Sequence, residues 1–167
     1  MFERMKTDRL NLALVAIGLV ATITLFNISI SSKEAILEHG KLVLLEMAPV
    51  DPRSPFQGDY ISINYKGLSG FNLDSIPKSG YCILKNTESN VYVPLRFEEK
   101  INSLGGTETP IRYTTDKWSI HIGASSYFFE EGKAAQYDSA KYAGLRVSRS
   151  GKSVLVGLYD KNRVLIK

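Results

Sequence analysis

Cysteine is almost missing from this chain: Cys82 is the only one. That excludes an internal disulfide framework and any cysteine-based zinc cluster. Cys82 lies in the apolar run Tyr81-Cys82-Ile83-Leu84, where a thiol acts as a small buried hydrophobe. Histidine is nearly as scarce. His39 and His121 are far apart and lack companions at metal-ligand spacing, so no metal site is expected. His121 alternates with Ile120 and Ile122, which assigns it to the solvated face of a strand. Charge of one sign is not concentrated either: 21 Lys and Arg are interleaved with 17 Asp and Glu, for a net charge of +4. No basic run with interleaved aromatics occurs, so nucleic acid is not an expected partner. Nor does a Gly-rich stretch precede a helix as a phosphate cradle would. Nothing calls for a cofactor. With 44% apolar and 23% charged residues, the composition is that of a folded chain without long disorder.

What the sequence does have is one long uncharged run. From Leu10 to Ile30 it reads LNLALVAIGLVATITLFNISI. Crossing a hydrocarbon core of about 30 Å takes roughly 20 helical residues, and a single span must be helical to satisfy its own backbone. The run exceeds the apolar stretch of a cleaved signal peptide, and its exit, Asn27 to Ser32, carries no A-x-A pattern. An uncleaved anchor is expected. Arg4, Lys6 and Arg9 precede it, and Lys33 and Lys41 follow more sparsely, which favours a cytoplasmic N-terminus. The expected organisation is a cytoplasmic tail over residues 1–9 and a transmembrane anchor over 10–30. A short connecting helix or linker over 31–40 then leads to an extracytoplasmic domain over 41–167. Gly40 is a natural helix stop.

The pattern beyond Lys41 is that of a β-dominated α+β domain: a small antiparallel β structure with one short helix. Lys41–Met47 is a first strand, apolar on both faces. Tyr60–Tyr65 is a second, with Ile61, Ile63 and Tyr65 on one face and Tyr60, Ser62 and Asn64 on the other. Further strands are predicted at 81–85, 91–98, 111–122 with a break near Thr114–Lys117, and 126–129. Val91, Val93, Leu95 and Phe97 make an apolar face, and Pro94 opposite them suggests an edge strand. The Ala-rich stretch from Gly132 to Tyr142 predicts the body's helix. Glu130 and Glu131 at its start fit the helix dipole. A meander of short strands at 145–148, 153–158 and 164–166 closes the chain, turning at Ser150-Gly151 and Asp160-Lys161-Asn162.

Between the first two strands lies Pro49-Val50-Asp51-Pro52-Arg53-Ser54-Pro55-Phe56-Gln57-Gly58-Asp59. Its three prolines forbid helix and ladder alike and fix a stiff extended loop. Gly58 permits backbone conformations that a side chain resists. Asp51 and Asp59 are turn acceptors, and Arg53 is a forked donor able to bridge them. Tyr65 brings apolar area with a polar tip. The loop therefore reads as a structural brace. A loop presenting two carboxylates, a guanidinium and Tyr60 is also how binding sites are built.

The passage from Pro49 through Tyr65 resembles the signature of the bacterial GDYXXLXY family. Gly58, Asp59, Tyr60 and Tyr65 match the name-giving positions, and Ile63 stands where the pattern has Leu. Glu131-Gly132, Ala140, Leu145-Arg146-Val147 and Val154–Leu158 resemble the family's C-terminal half. The resemblance implies a one-helix anchor, a periplasmic or otherwise extracytoplasmic domain and a multi-span membrane protein as partner. It brings no activity. A membrane-anchored hydrolase of Ser/Lys type is the alternative, with Ser54 as nucleophile and Lys85 as base. It lacks the Ser-Met-x-Pro context of membrane-anchored signal peptidases, and no Gly-x-Ser-x-Gly is present. The expected function is therefore a membrane-tethered binding or assembly module without catalysis, its small-molecule ligand, where it has one, left open.

Overall fold

A helix that is apolar on every side has nothing to turn toward water, and α1, Phe2–His39, is such a helix over residues 10–30. The computed structural model describes residues 2–48 and 60–167. It divides into two compact units, Met1–Ala35 and Ile36–Lys167. Leu12, Leu14, Val15, Ile17 and Val20 point in all directions around α1, and all are exposed. Its polar side chains are turned inward on their own helix: Thr22 Oγ1 donates to the Gly18 carbonyl, Thr24 Oγ1 to Val20 and Asn27 Nδ2 to Ile23, each at 2.8 Å. That self-satisfaction suits a medium without water. The helix is long and apolar enough to cross a membrane. It runs unbroken through the expected 31–40 linker and stops at Gly40, whose N–H donates to the Ile36 carbonyl at 2.8 Å.

The second unit is β-rich. Its strands are β1 (Lys41–Glu46), β2 (Tyr60–Ser62), β3 (Ser79–Glu88), β4 (Val91–Glu98), β5 (Glu108–Thr115), β6 (Ile120–Ile122), β7 (Ser126–Phe128), β8 (Tyr142–Val147) and β9 (Ser153–Tyr159), with one helical turn, α2 (Ala134–Tyr137), before β8. Seven strands form a sheet in the order β6-β5-β3-β4-β1-β8-β9, and β2 pairs with β7 in a separate ribbon. Every pairing is antiparallel except β1 with β4. The doubly apolar run Val43-Leu44-Leu45 is buried because β1 lies inside the sheet. Around it gather Cys82, Leu84, Tyr92, Ile111, Leu145 and Leu158, capped by Ile61, Ile63 and Tyr65 from the motif side.

Several expectations need correction, each for a physical reason. The helix expected from Gly132 to Tyr142 is only Ala134–Tyr137. Four residues cannot meet the nucleation cost of a longer helix by themselves, and Tyr142 is claimed by β8, opposite Glu46 and Tyr159. The expected apolar face of β4 is split. Ile83 pairs with Arg96 but Leu84 pairs with Pro94, so Leu95 is the extra residue of a bulge. A bulge shifts the alternation by one. Phe97 therefore packs on the core while Val93 and Leu95 face outward, and Tyr92 is buried in their place. Strand β4 is also internal rather than an edge. Pro94 is tolerated because the pairing with β1 covers only Val91 and Tyr92, which leaves its missing N–H unneeded. The strand expected at 164–166 is a single bridge, Tyr159 with Leu165.

Candidate functional site

The two chain segments flanking residues 49–59 are stitched to one another and to the core. The Ala48 N–H donates to the Asn64 carbonyl at 2.7 Å, and the Met47 N–H to Lys141 at 2.9 Å. Met47 and Tyr65 form an antiparallel bridge, and the Lys66 N–H donates to Glu46 at 2.8 Å. Strand β2 is shorter than Tyr60–Tyr65, yet the alternation holds, with Ile61, Ile63 and Tyr65 all buried. The Tyr65 hydroxyl donates to the Ala124 carbonyl at 2.8 Å, and burial pushes its pKa well above that of an ordinary phenol. Next to it Gly123 has φ +58°, and a Cβ there would lie 2.9 Å from Leu145 Cδ1 and 3.0 Å from the Tyr65 hydroxyl. Only glycine fits that corner. Tyr60 points the other way and leans on Phe128, ring centroids 5.7 Å apart, with Phe128 largely exposed.

A cleft of about 520 Å³ opens at this junction. Glu46, Met47 and Ala48 line it from the chain entering the motif, Ile61 and Ser62 from the chain leaving it, and Tyr137, Asp138 and Lys141 from the α2–β8 segment. Its floor is apolar and its rim charged. Glu46 Oε1 lies 3.2 Å from Lys66 Nζ and 3.9 Å from Lys141 Nζ. The Tyr137 hydroxyl lies 3.4 Å from that of Tyr127. This contact, with burial, pushes the Tyr127 pKa up to about 12. The described lining offers carboxylates, ammonium groups and hydroxyls, without imidazole or thiol. The lining thus combines apolar side chains with charges of both signs.

The sequence-derived residues divide clearly. Tyr60 and Tyr65 are chain neighbours of the lining residues Ile61 and Lys66 and do not themselves line the cleft. Asp51, Pro52, Arg53, Ser54, Gly58 and Asp59 lie outside the described residues, so the brace and the Ser54–Lys85 pair fall there. Lys85 itself is exposed on β3. Glu131 is exposed and Gly132 turns with φ +84°. Beside them Lys133 pairs with Glu130, and the chain then enters α2, whose Ala134 reaches the cleft. His121 is on the exposed face of β6 as expected, and Cys82 is fully buried, its pKa pushed up to about 12 by burial. Among the described residues no group of three His, Cys, Asp or Glu side chains gathers as a metal site would.

One cluster has triad composition. Asp116, Ser119 and His121 meet on the β5–β6 turn, with His121 Nε2 2.8 Å from Asp116 Oδ2 and 3.0 Å from Ser119 Oγ. Both contacts fall on the same ring nitrogen. A relay needs the carboxylate on one nitrogen and the nucleophile on the other, so this cluster fixes a turn.

The family model described as GDYXXLXY protein matches residues 22–158. The chain belongs to this family. The match spans the later part of α1, the motif, the cleft residues and every strand up to Leu158 in β9. No curated protein and no solved structure matches the chain significantly. In this GDYXXLXY protein the cleft is lined by Lys66, Tyr137, Asp138 and Lys141, which sequence reasoning did not single out. The register of β1 against β8 brings Lys141 beside Glu46, and no local spacing announces that.

Proposed function

We propose that the protein is a membrane-tethered, extracytoplasmic binding or assembly module that works beside a multi-span membrane protein and performs no catalysis. The observation that carries the reading is the cleft at the root of the motif, walled by both flanks of residues 49–59. The apolar α1 supports the tether, and Arg4, Lys6 and Arg9 before it support a cytoplasmic N-terminus with the domain on the periplasmic or outer side. An apolar floor under a charged rim suits an extramembrane loop of a partner, which presents both kinds of side chain.

The test compares three full-length variants by in-cell complementation and by melting. Ser62→Phe narrows the cleft from a half-buried strand position and is expected to abolish complementation, with stability changed by no more than about 1 kcal/mol. Ser54→Ala is expected to complement fully, since a loop hydroxyl contributes little. Loss of function in Ser54→Ala at unchanged melting temperature would favour the Ser/Lys hydrolase instead. Failure of Arg53→Ala without loss of stability would extend the binding surface onto the motif loop.

A further inference from the structure

Trp118 is the most exposed large apolar side chain in the described β-rich unit, 88% accessible on the turn between β5 and β6. A lone exposed Leu is unremarkable in folded proteins, but Trp is buried on average. The turn that carries it is not loose. Asp116 Oδ1 accepts from the backbone N–H groups of Trp118 and Ser119, both at 2.7 Å. The Asp116 N–H donates to the Ser119 carbonyl at 3.1 Å, and His121 holds the other carboxylate oxygen. The fold thus spends a carboxylate, a hydroxyl and an imidazole on presenting one indole to the outside.

The Asp116 carboxylate is turned into the turn by those contacts, and two lysines stand beside the tip. Lys117 precedes Trp118, and Lys78 lies at the base of the turn, where its carbonyl accepts from the Thr115 N–H at 2.9 Å. Neither lysine has an ion-pair partner among the described residues. An indole beside free ammonium groups matches the bilayer interface, where Trp is enriched and basic residues are drawn to anionic headgroups. The anchor and this surface belong to one chain. The apolar run ends at Ile30 and the compact unit begins at Ile36, and the residues between cover no more than ~18 Å even when extended.

We propose that the β5–β6 hairpin tip, through Trp118 with Lys117 and Lys78, seats in the anionic headgroup region of the membrane that anchors the chain. The inference rests on the membrane-tethered reading above. It gives the domain a second contact with the bilayer, so that its orientation is set by two points.

The chain supplies its own reporter, since Trp118 is its only tryptophan. The full-length protein is reconstituted into vesicles of equal parts phosphatidylcholine and phosphatidylglycerol, and into phosphatidylcholine alone, with lipids brominated near the headgroup as quenchers. Flotation is scored on the same samples. In the anionic vesicles the emission is expected to shift to the blue and to be quenched by the brominated lipid, with both effects weaker in phosphatidylcholine. Lys117→Gln is expected to lower the ratio of seated to free hairpin about fivefold, the equivalent of ~1 kcal/mol for one basic residue at an anionic surface. Protein that floats while its emission stays water-like and unquenched overturns the hairpin proposal and leaves the anchor standing. Protein that does not float overturns both. A blue shift without lipid quenching, growing with the protein-to-lipid ratio, overturns the proposal in favour of contact between copies.

Discussion

Tyr65 shows how one side chain serves two layers of the structure. Its ring fills the core beneath the motif while its hydroxyl crosses to the Ala124 carbonyl on the approach to β7. Tyr65→Phe keeps the ring and removes the donor, leaving the half-buried Ala124 carbonyl with one partner fewer. An intramolecular hydrogen bond contributes about 0.5–1.5 kcal/mol net, so chemical denaturation should register a loss in that range. A variant as stable as the parent would mean that water replaces the hydroxyl at Ala124. The role of Tyr65 was legible in advance, because alternation with Ile61 and Ile63 points it inward and a buried phenol needs a partner. That the partner is Ala124 was not, since nothing local joins the two.

At the scale of elements, the sheet depends on close approaches that a pattern of apolar residues does not reveal. Gly144 in β8 lies opposite Gly157 in β9, next to an irregularity in the ladder, and the Tyr159 ring occupies the space where a Cβ would stand. Gly144→Ala forces that ring aside and should destabilise the protein by about 1–3 kcal/mol, as overpacking does. Gly106→Ala, with open space around it, is the control and should stay within about 0.5 kcal/mol. Equal melting curves for the two would show that Tyr159 moves freely. The same scale explains where sequence reading succeeded. Strands β1, β3, β5 and β9 were found because apolar content and alternation follow burial. It placed β4 at Val91–Glu98 but misjudged its inner face, because a bulge is set by pairing between distant strands, and it lengthened α2 because the pull of β8 on Tyr142 comes from Glu46 and Tyr159. The cleft was illegible for the same reason: its walls come from three separated stretches.

Across the whole molecule, stability should fall on acidification. Arg96 reaches Glu98 through Nε and grips Glu108 with both terminal nitrogens, at 2.7 and 3.0 Å. Its hydrogen bonds hold the Glu98 carboxyl below its usual range and bring Glu108 down to about 2. At Asp116 the contact with His121 and the two backbone N–H groups act in the same direction. A carboxylate whose folded pKa is depressed contributes stability above its unfolded value, about 4. That contribution drains as pH drops through the folded value. Melting temperature should therefore decline from about pH 5 toward pH 2, and Glu108→Gln should start lower and decline less steeply. An unchanged slope in Glu108→Gln would place the acid sensitivity elsewhere.

The stitching of Met47 and Ala48 to Lys141 and Asn64 has a consequence for residues 49–59. The chain leaves the β domain at Ala48 and is back on it at Tyr60, and the backbone hydrogen bonds on either side belong to the domain itself. That frame is a socket: a substitution between Pro49 and Asp59 changes what is carried, while the register of β1 rests on its pairings with β4 and β8.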